Sequence, residues 1–152
     1  MLIQKPQLAN DDNLSQYLES LCNIADKENL SNLTPPERVT VFVWWAKALV
    51  DNGGFQCFYE GAFNTEEVAK AFDEVGLTSV SNAFYKSLAV YPNRVPISDQ
   101  KLRRDWLSKQ NSNIKNTFAE LDDVVWNVET TELLTRIRAY ILLHKSEFRE
   151  LV

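Results

Sequence analysis

Thr34-Pro35-Pro36-Glu37, then Phe42-Val43-Trp44-Trp45-Ala46-Lys47-Ala48-Leu49-Val50 and Asn52-Gly53-Gly54-Phe55, is the stretch from which the fold can be read. Thr34 with Glu37 three residues on is a capping box, and Pro35 stands at the first helical position, where a missing N–H costs nothing. The helix opened there is predicted to run to about Asn52 and to stop at Gly53, in the left-handed conformation that favours glycine. Gly54 then lets the chain reverse and Phe55 returns to the core. Between Val39 and Val50 this helix is apolar on almost every face, which places it centrally with other helices around it. Seven of the 17 aromatic residues fall between Phe42 and Phe63, so the main hydrophobic cluster is expected at this turn.

The flanking segments read the same way. Leu14, Tyr17, Leu18, Leu21 and Ala25 form one stripe at helical spacing over 14–28, with Asp12, Glu19 and Asp26 recurring every seven residues on the other side. Asn64-Thr65-Glu66-Glu67 starts a helix that Gly76 stops, and Thr78 caps another that ends at Pro92. Pro92 to Pro96 reads as a loop, Ser98 opens a short basic helix through Trp106, and Asn111 to Asn113 is a turn before Phe118, Leu121, Val125 and Trp126. Thr130 or Thr131 caps a last helix predicted to extend through Ile137 and Tyr140 to Phe148. No alternating strand, repeat or low-complexity tract interrupts the series. The expected fold is all-α: a single compact domain, 1–152, of about seven helices around a central apolar one.

A chain of 152 residues and 17.5 kDa with 45% apolar and 24% charged residues can bury its own core. It has no apolar run of the roughly 18 residues that a membrane span needs. Met1 to Asn10 lacks the apolar core of a secretory leader. Cys22 and Cys57 match neither a disulfide framework nor a zinc knuckle, and both read as small buried hydrophobes in a reducing compartment. A cytoplasmic protein is the expectation.

Sequence signals for enzymes are absent. No Gly-rich phosphate loop, nucleophile elbow or HExxH occurs. The one histidine, His144, excludes multi-histidine metal sites, and no cofactor or metal is expected. Glu66/Glu67, Asp73/Glu74 and Asp122/Asp123 are paired carboxylates, but general acid–base work requires two environments that push the pKa values apart. Adjacent acids on an exposed helix face read as solvated. His144 with Tyr140 or Glu147 is the single constellation that could be catalytic, at a spacing equally that of helix neighbours. No catalytic residue is assigned.

The net charge is −5, with pI near 4.9, and it is unevenly spread. Residues 92–117 hold six cations against two acids, a net of +4, which leaves −9 for the rest. The segment 65–91 has helix-turn-helix spacing around Gly76 but carries −2, and DNA would repel it. The basic stretch from Arg94 to Lys115 reads as a solvated face, a protein contact or a nucleic-acid patch. The acidic rows offer a different reading. Acids three, four or seven apart on a helix are spaced about 5–10 Å, similar to DNA phosphates. Asp12, Glu19, Asp26, Glu66, Glu67, Asp73 and Glu74 are the candidate partner-binding face.

Taken together, the apolar helix from Phe42 to Val50, Asn52-Gly53-Gly54-Phe55, Phe58 and Tyr59, the helix ending at Gly76, Leu121-Asp122-Asp123 and the closing Tyr140, Ile141 and His144 resemble the DNA mimic protein family, a bacterial group of small helical proteins. The resemblance covers 34–150, leaving 1–33 outside it, and the chain departs from the family pattern at Cys57 and Gly61. It implies an acidic, non-enzymatic protein, dimeric, that occupies the DNA-binding surface of a basic partner such as a transcription regulator. Direct contact with nucleic acid or membrane is not expected. Three alternatives stand beside it: an immunity or antitoxin-like inhibitor of a basic toxin, a small enzyme, and a nucleic-acid binder using 94–115.

Overall fold

A computed structural model describes residues 8–28 and 30–150; the reading of the N-terminal segment as lacking a leader falls largely outside these residues. The described residues form seven α-helices and four short 3-10 turns: α1 Asp11–Glu28, α2 Pro35–Glu60, α3 Thr65–Glu74, α4 Thr78–Ser87, α5 Gln100–Ser108, α6 Ser112–Trp126 and α7 Thr130–Leu143. There is no β-strand among the described residues, and no helix is long and apolar enough to cross a membrane. α2 is central, packed by α1, α3, α5 and α6, while α3 pairs with α4 as a hairpin and α1 lies on α7.

The capping box that opens α2 forms in both directions. Glu37 N donates to Thr34 Oγ1 at 3.2 Å and Thr34 N donates to Glu37 Oε1 at 2.9 Å. Glu37 is nevertheless fully buried, because the end of the chain folds over it. Arg149 Nε donates to Glu37 Oε2 at 2.8 Å, its Nη2 donates to Oε1 at 3.0 Å, and its backbone carbonyl accepts from Tyr17 Oη at 2.5 Å. Burial alone would raise the Glu37 pKa, but the hydrogen bonds from Arg149 and Thr34 outweigh it and hold the carboxyl below its ordinary value.

The expected stop at Gly53 is corrected: the helix breaks there but neither ends nor reverses. Gly53 is at φ −156°, ψ 22° and Gly54 at φ 71°, ψ −169°, and helix resumes at Phe55 and runs to Glu60. Gly54, and not Gly53, takes the positive φ. The reason is α6, which supplies partners for both sides of the break. Asp122 Oδ1 accepts from Phe55 N at 2.7 Å, capping the resumed helix, and Trp126 Nε1 donates to Val50 O at 2.8 Å in the last turn before it. Phe118, one turn earlier on α6, stacks on Phe55 with centroids 6.0 Å apart. The residues at 118, 122 and 126 thus form one clasp at i, i+4 and i+8. Phe55, Phe58, Phe72 and Phe84 form the aromatic centre beneath it.

Other boundaries differ by small amounts with local causes. Leu77, not Thr78, is the N-cap of α4; Thr78 already lies inside the helix and its hydroxyl donates to Asp73 Oδ1 at 3.2 Å. Asp99, not Ser98, caps α5, its side chain accepting from Leu102 N. Glu129 occupies the N-cap position of α7, which ends at Leu143 short of Phe148, and Phe148 is buried beyond a 3-10 turn over Lys145–Glu147.

Candidate functional site

The seven predicted acids divide between two helices. Asp12, Glu19 and Asp26 are exposed along α1, and Glu66, Glu67, Asp73 and Glu74 are exposed along α3. Each row includes acids already bound to a neighbouring aromatic or hydroxyl. Glu19 Oε1 accepts from Trp44 Nε1 at 2.9 Å, and Glu74 Oε2 accepts from Tyr140 Oη at 3.1 Å. α7 connects the two: Arg138 Nη2 donates to Asp11 Oδ1 at 2.7 Å on α1, while Tyr140 reaches Glu74 on α3.

The rows border two different grooves. Between α1 and α2, Glu19, Cys22, Asn23, Asp26, Trp44, Trp45 and Ala48 line one of about 270 Å³. Asp73 and Glu74 line another of about 300 Å³ with Lys70, Ser81, Asn82 and Tyr85, across α3 and α4. Glu19 and Asp26 are therefore brought together with a tryptophan pair, while Asp12 lies outside that groove. A third cleft, about 460 Å³, runs from Phe63, Asn64, Thr65 and Glu66 to the loop of Arg94 through Ser98. Its walls are mostly apolar or already bonded.

The three arginines of the basic stretch bond to the fold, while Lys101, Lys109 and Lys115 are exposed. Arg103 is buried and donates to the carbonyls of Tyr59 at 2.6 Å, Ile97 at 2.7 Å and Gly61; Arg104 Nε donates to Glu60 O at 2.9 Å. Gln100 Nε2 donates to the same Glu60 carbonyl at 2.8 Å. These donors satisfy the open carbonyls at the end of α2, where the helix dipole also favours cations. Arg94 Nη2 donates to Tyr85 O at 2.8 Å.

His144 does sit beside the two residues named with it. Its ring centroid is 4.4 Å from that of Tyr140, and Nδ1 is 3.2 Å from Glu147 Oε2. Burial, and then the charge of Glu74, push the Tyr140 phenol well above its ordinary pKa, so it is a hydrogen-bond donor to Glu74 and not a base. None of the three grooves is lined by His144, Tyr140 or Glu147. Burial and the Glu19 charge raise the Cys22 thiol to about 12, which keeps it protonated and unreactive in its groove. Among the described residues no group of three or more potential ligands could hold a metal ion.

Asp122 is the residue that sequence reasoning misplaced. Grouped with Asp123 as a solvated pair, it is buried, and burial raises its pKa against the opposing hydrogen bond from Phe55. A signal was available: Phe118, Leu121, Asp122 and Val125 lie on one helical stripe, and all four are buried. Asn52-Gly53-Gly54-Phe55 and Leu121-Asp122-Asp123 are thus two halves of one contact.

The family model described as DMP19-like protein matches residues 31–144. The chain belongs to the DMP19-like family. DMP19 is a DNA mimic protein family, and the matched span of this DMP19-like chain contains both halves of the α2–α6 clasp and the whole of the α3 acidic row. No match was found among curated proteins or among solved structures.

Proposed function

We propose that this DMP19-like protein is a non-enzymatic interaction module whose acidic helix faces occupy the DNA-binding surface of a basic partner such as a transcription regulator. The observation that carries the reading is the pair of exposed acidic rows, on α1 and α3, in a member of a DNA mimic family. Rows of carboxylates at helical spacing steer a cationic partner and compete with phosphates for the same arginines and lysines. The engagement of the buried Arg103 by backbone carbonyls supports the same reading, because that cation of the basic stretch is held by the fold.

The test is capture on the immobilised chain, at about 0.1 M and about 0.5 M salt, where the Debye length falls from about 10 Å to well below it. Captured proteins should be basic DNA-binding proteins, released by the higher salt and displaced by duplex DNA. A captured set without basic bias, retention insensitive to salt, or partners that DNA does not displace would each refute the proposal.

A further inference from the structure

The geometry points to the α1–α2 groove as the place where an arginine side chain of the basic partner is received. This rests on the proposed function and locates part of it. Two carboxylates, Glu19 and Asp26, stand seven residues apart on α1, about 10 Å along the axis, and bracket the groove. Across from them α2 contributes Trp44 and Trp45, with Cys22 and Ala48 completing an apolar lining. At about 270 Å³ the groove is smaller than ordinary small-molecule sites of roughly 300–1,000 Å³, and none of its lining residues is a cation.

Acid and indole together select a specific chemistry. A guanidinium pairs with a carboxylate through two parallel N–H donors and stacks its plane on an indole face, whereas a lysine ammonium has no plane to stack. The indole of tryptophan is the best of the aromatic faces for a cation. Trp44 is pre-set for this role: its Nε1–H donates to Glu19 Oε1 at 2.9 Å, which fixes the ring beside the carboxylate. A carboxylate accepts at both oxygens, so Glu19 can hold the indole and a guest at the same time. The thiol of Cys22 is protonated, so the groove offers an acid pair and not a nucleophile.

The test uses the full chain and acetyl-arginine amide as the probe, with acetyl-citrulline amide as its neutral isostere. Binding is read from the Trp44 indole N–H resonance, assigned with Trp44→Phe. Arginine amide should give a saturable shift that citrulline amide does not. Asp26→Asn should weaken it roughly two- to fivefold, the range of an exposed ion pair. Asp12→Asn, the same charge change on the same helix but outside the groove, should leave it unaltered. No saturable shift, equal binding of citrulline amide, or equal loss with Asp12→Asn overturns the assignment, whatever the capture experiment shows. Conversely, a capture experiment that fails while the Trp44 shift saturates removes the DNA-mimic reading and leaves the groove as an arginine site.

Discussion

Replacing Gly54 by alanine should destabilise the protein by about 2–5 kcal/mol, a large share of the roughly 5–15 kcal/mol that holds a domain of this kind. Two causes add. At φ 71°, ψ −169° Gly54 occupies a region open essentially to glycine alone, which costs a side chain about 1–3 kcal/mol. A Cβ there would also lie 2.4 Å from Asp122 Oδ2 and 2.9 Å from its Cγ. Relief of that overlap moves the carboxylate off Phe55 N, leaving a buried N–H unpaired at about 1–3 kcal/mol. The gain from a stiffer unfolded chain offsets only about 0.4–1 kcal/mol. Urea unfolding followed by tryptophan fluorescence and far-UV circular dichroism measures the sum. The Asp122 background separates the parts. In Asp122→Ala the cap is already gone and the overlap is relieved, so Gly54→Ala should cost only the backbone strain, about 1–3 kcal/mol. Asp122→Asn keeps the shape and should bring no such relief. A cost for Gly54→Ala below about 0.5 kcal/mol, or the same cost with and without the Asp122 side chain, would refute the clasp.

Three further changes probe other parts of the fold. Glu37→Gln should cost about 1–3 kcal/mol at neutral pH by removing the charge that Arg149 holds. Because the folded Glu37 carboxyl lies below its ordinary value, its contribution is present above that value and is lost as pH falls through the folded one. Urea midpoints between about pH 6 and pH 3 should therefore converge for wild type and variant; a constant gap would contradict the pairing. Arg103→Lys should lower stability by about 2–4 kcal/mol, since an ammonium cannot reach the Tyr59, Gly61 and Ile97 carbonyls together, and retained thermal stability would show that they do not depend on the guanidinium. Tyr91 Oη is buried without a hydrogen-bond partner among the described residues, and its ring stacks on Trp106 at 4.9 Å. Tyr91→Phe should leave stability unchanged or raise it by up to about 1 kcal/mol; a clear loss in the thermal midpoint would reveal a partner for that hydroxyl.

Local patterning by itself determined the helical elements and the core. The capping box at Thr34 and Glu37, the Asn64 cap, the stop near Gly76 and the stripe Leu14, Tyr17, Leu18, Leu21 depend on residues a turn or two apart, and the folded chain keeps them. The exposed acids of α1 and α3 were legible for the same reason: the alternation of apolar and charged positions places them outside. What only the tertiary structure decided are the contacts between distant segments. Asp122 looked like half of a solvated pair because nothing near it in the chain shows that Phe55 N, 67 residues away, needs an acceptor. Arg103 and Arg104 looked like a cationic face because the carbonyls they serve, at the end of α2, lie more than 40 residues earlier. Gly53-Gly54 looked like a stop because glycine says only that the backbone can leave the helix. Whether the helix ends or resumes depends on partners for the groups the break exposes, and α6 brings those partners across the fold.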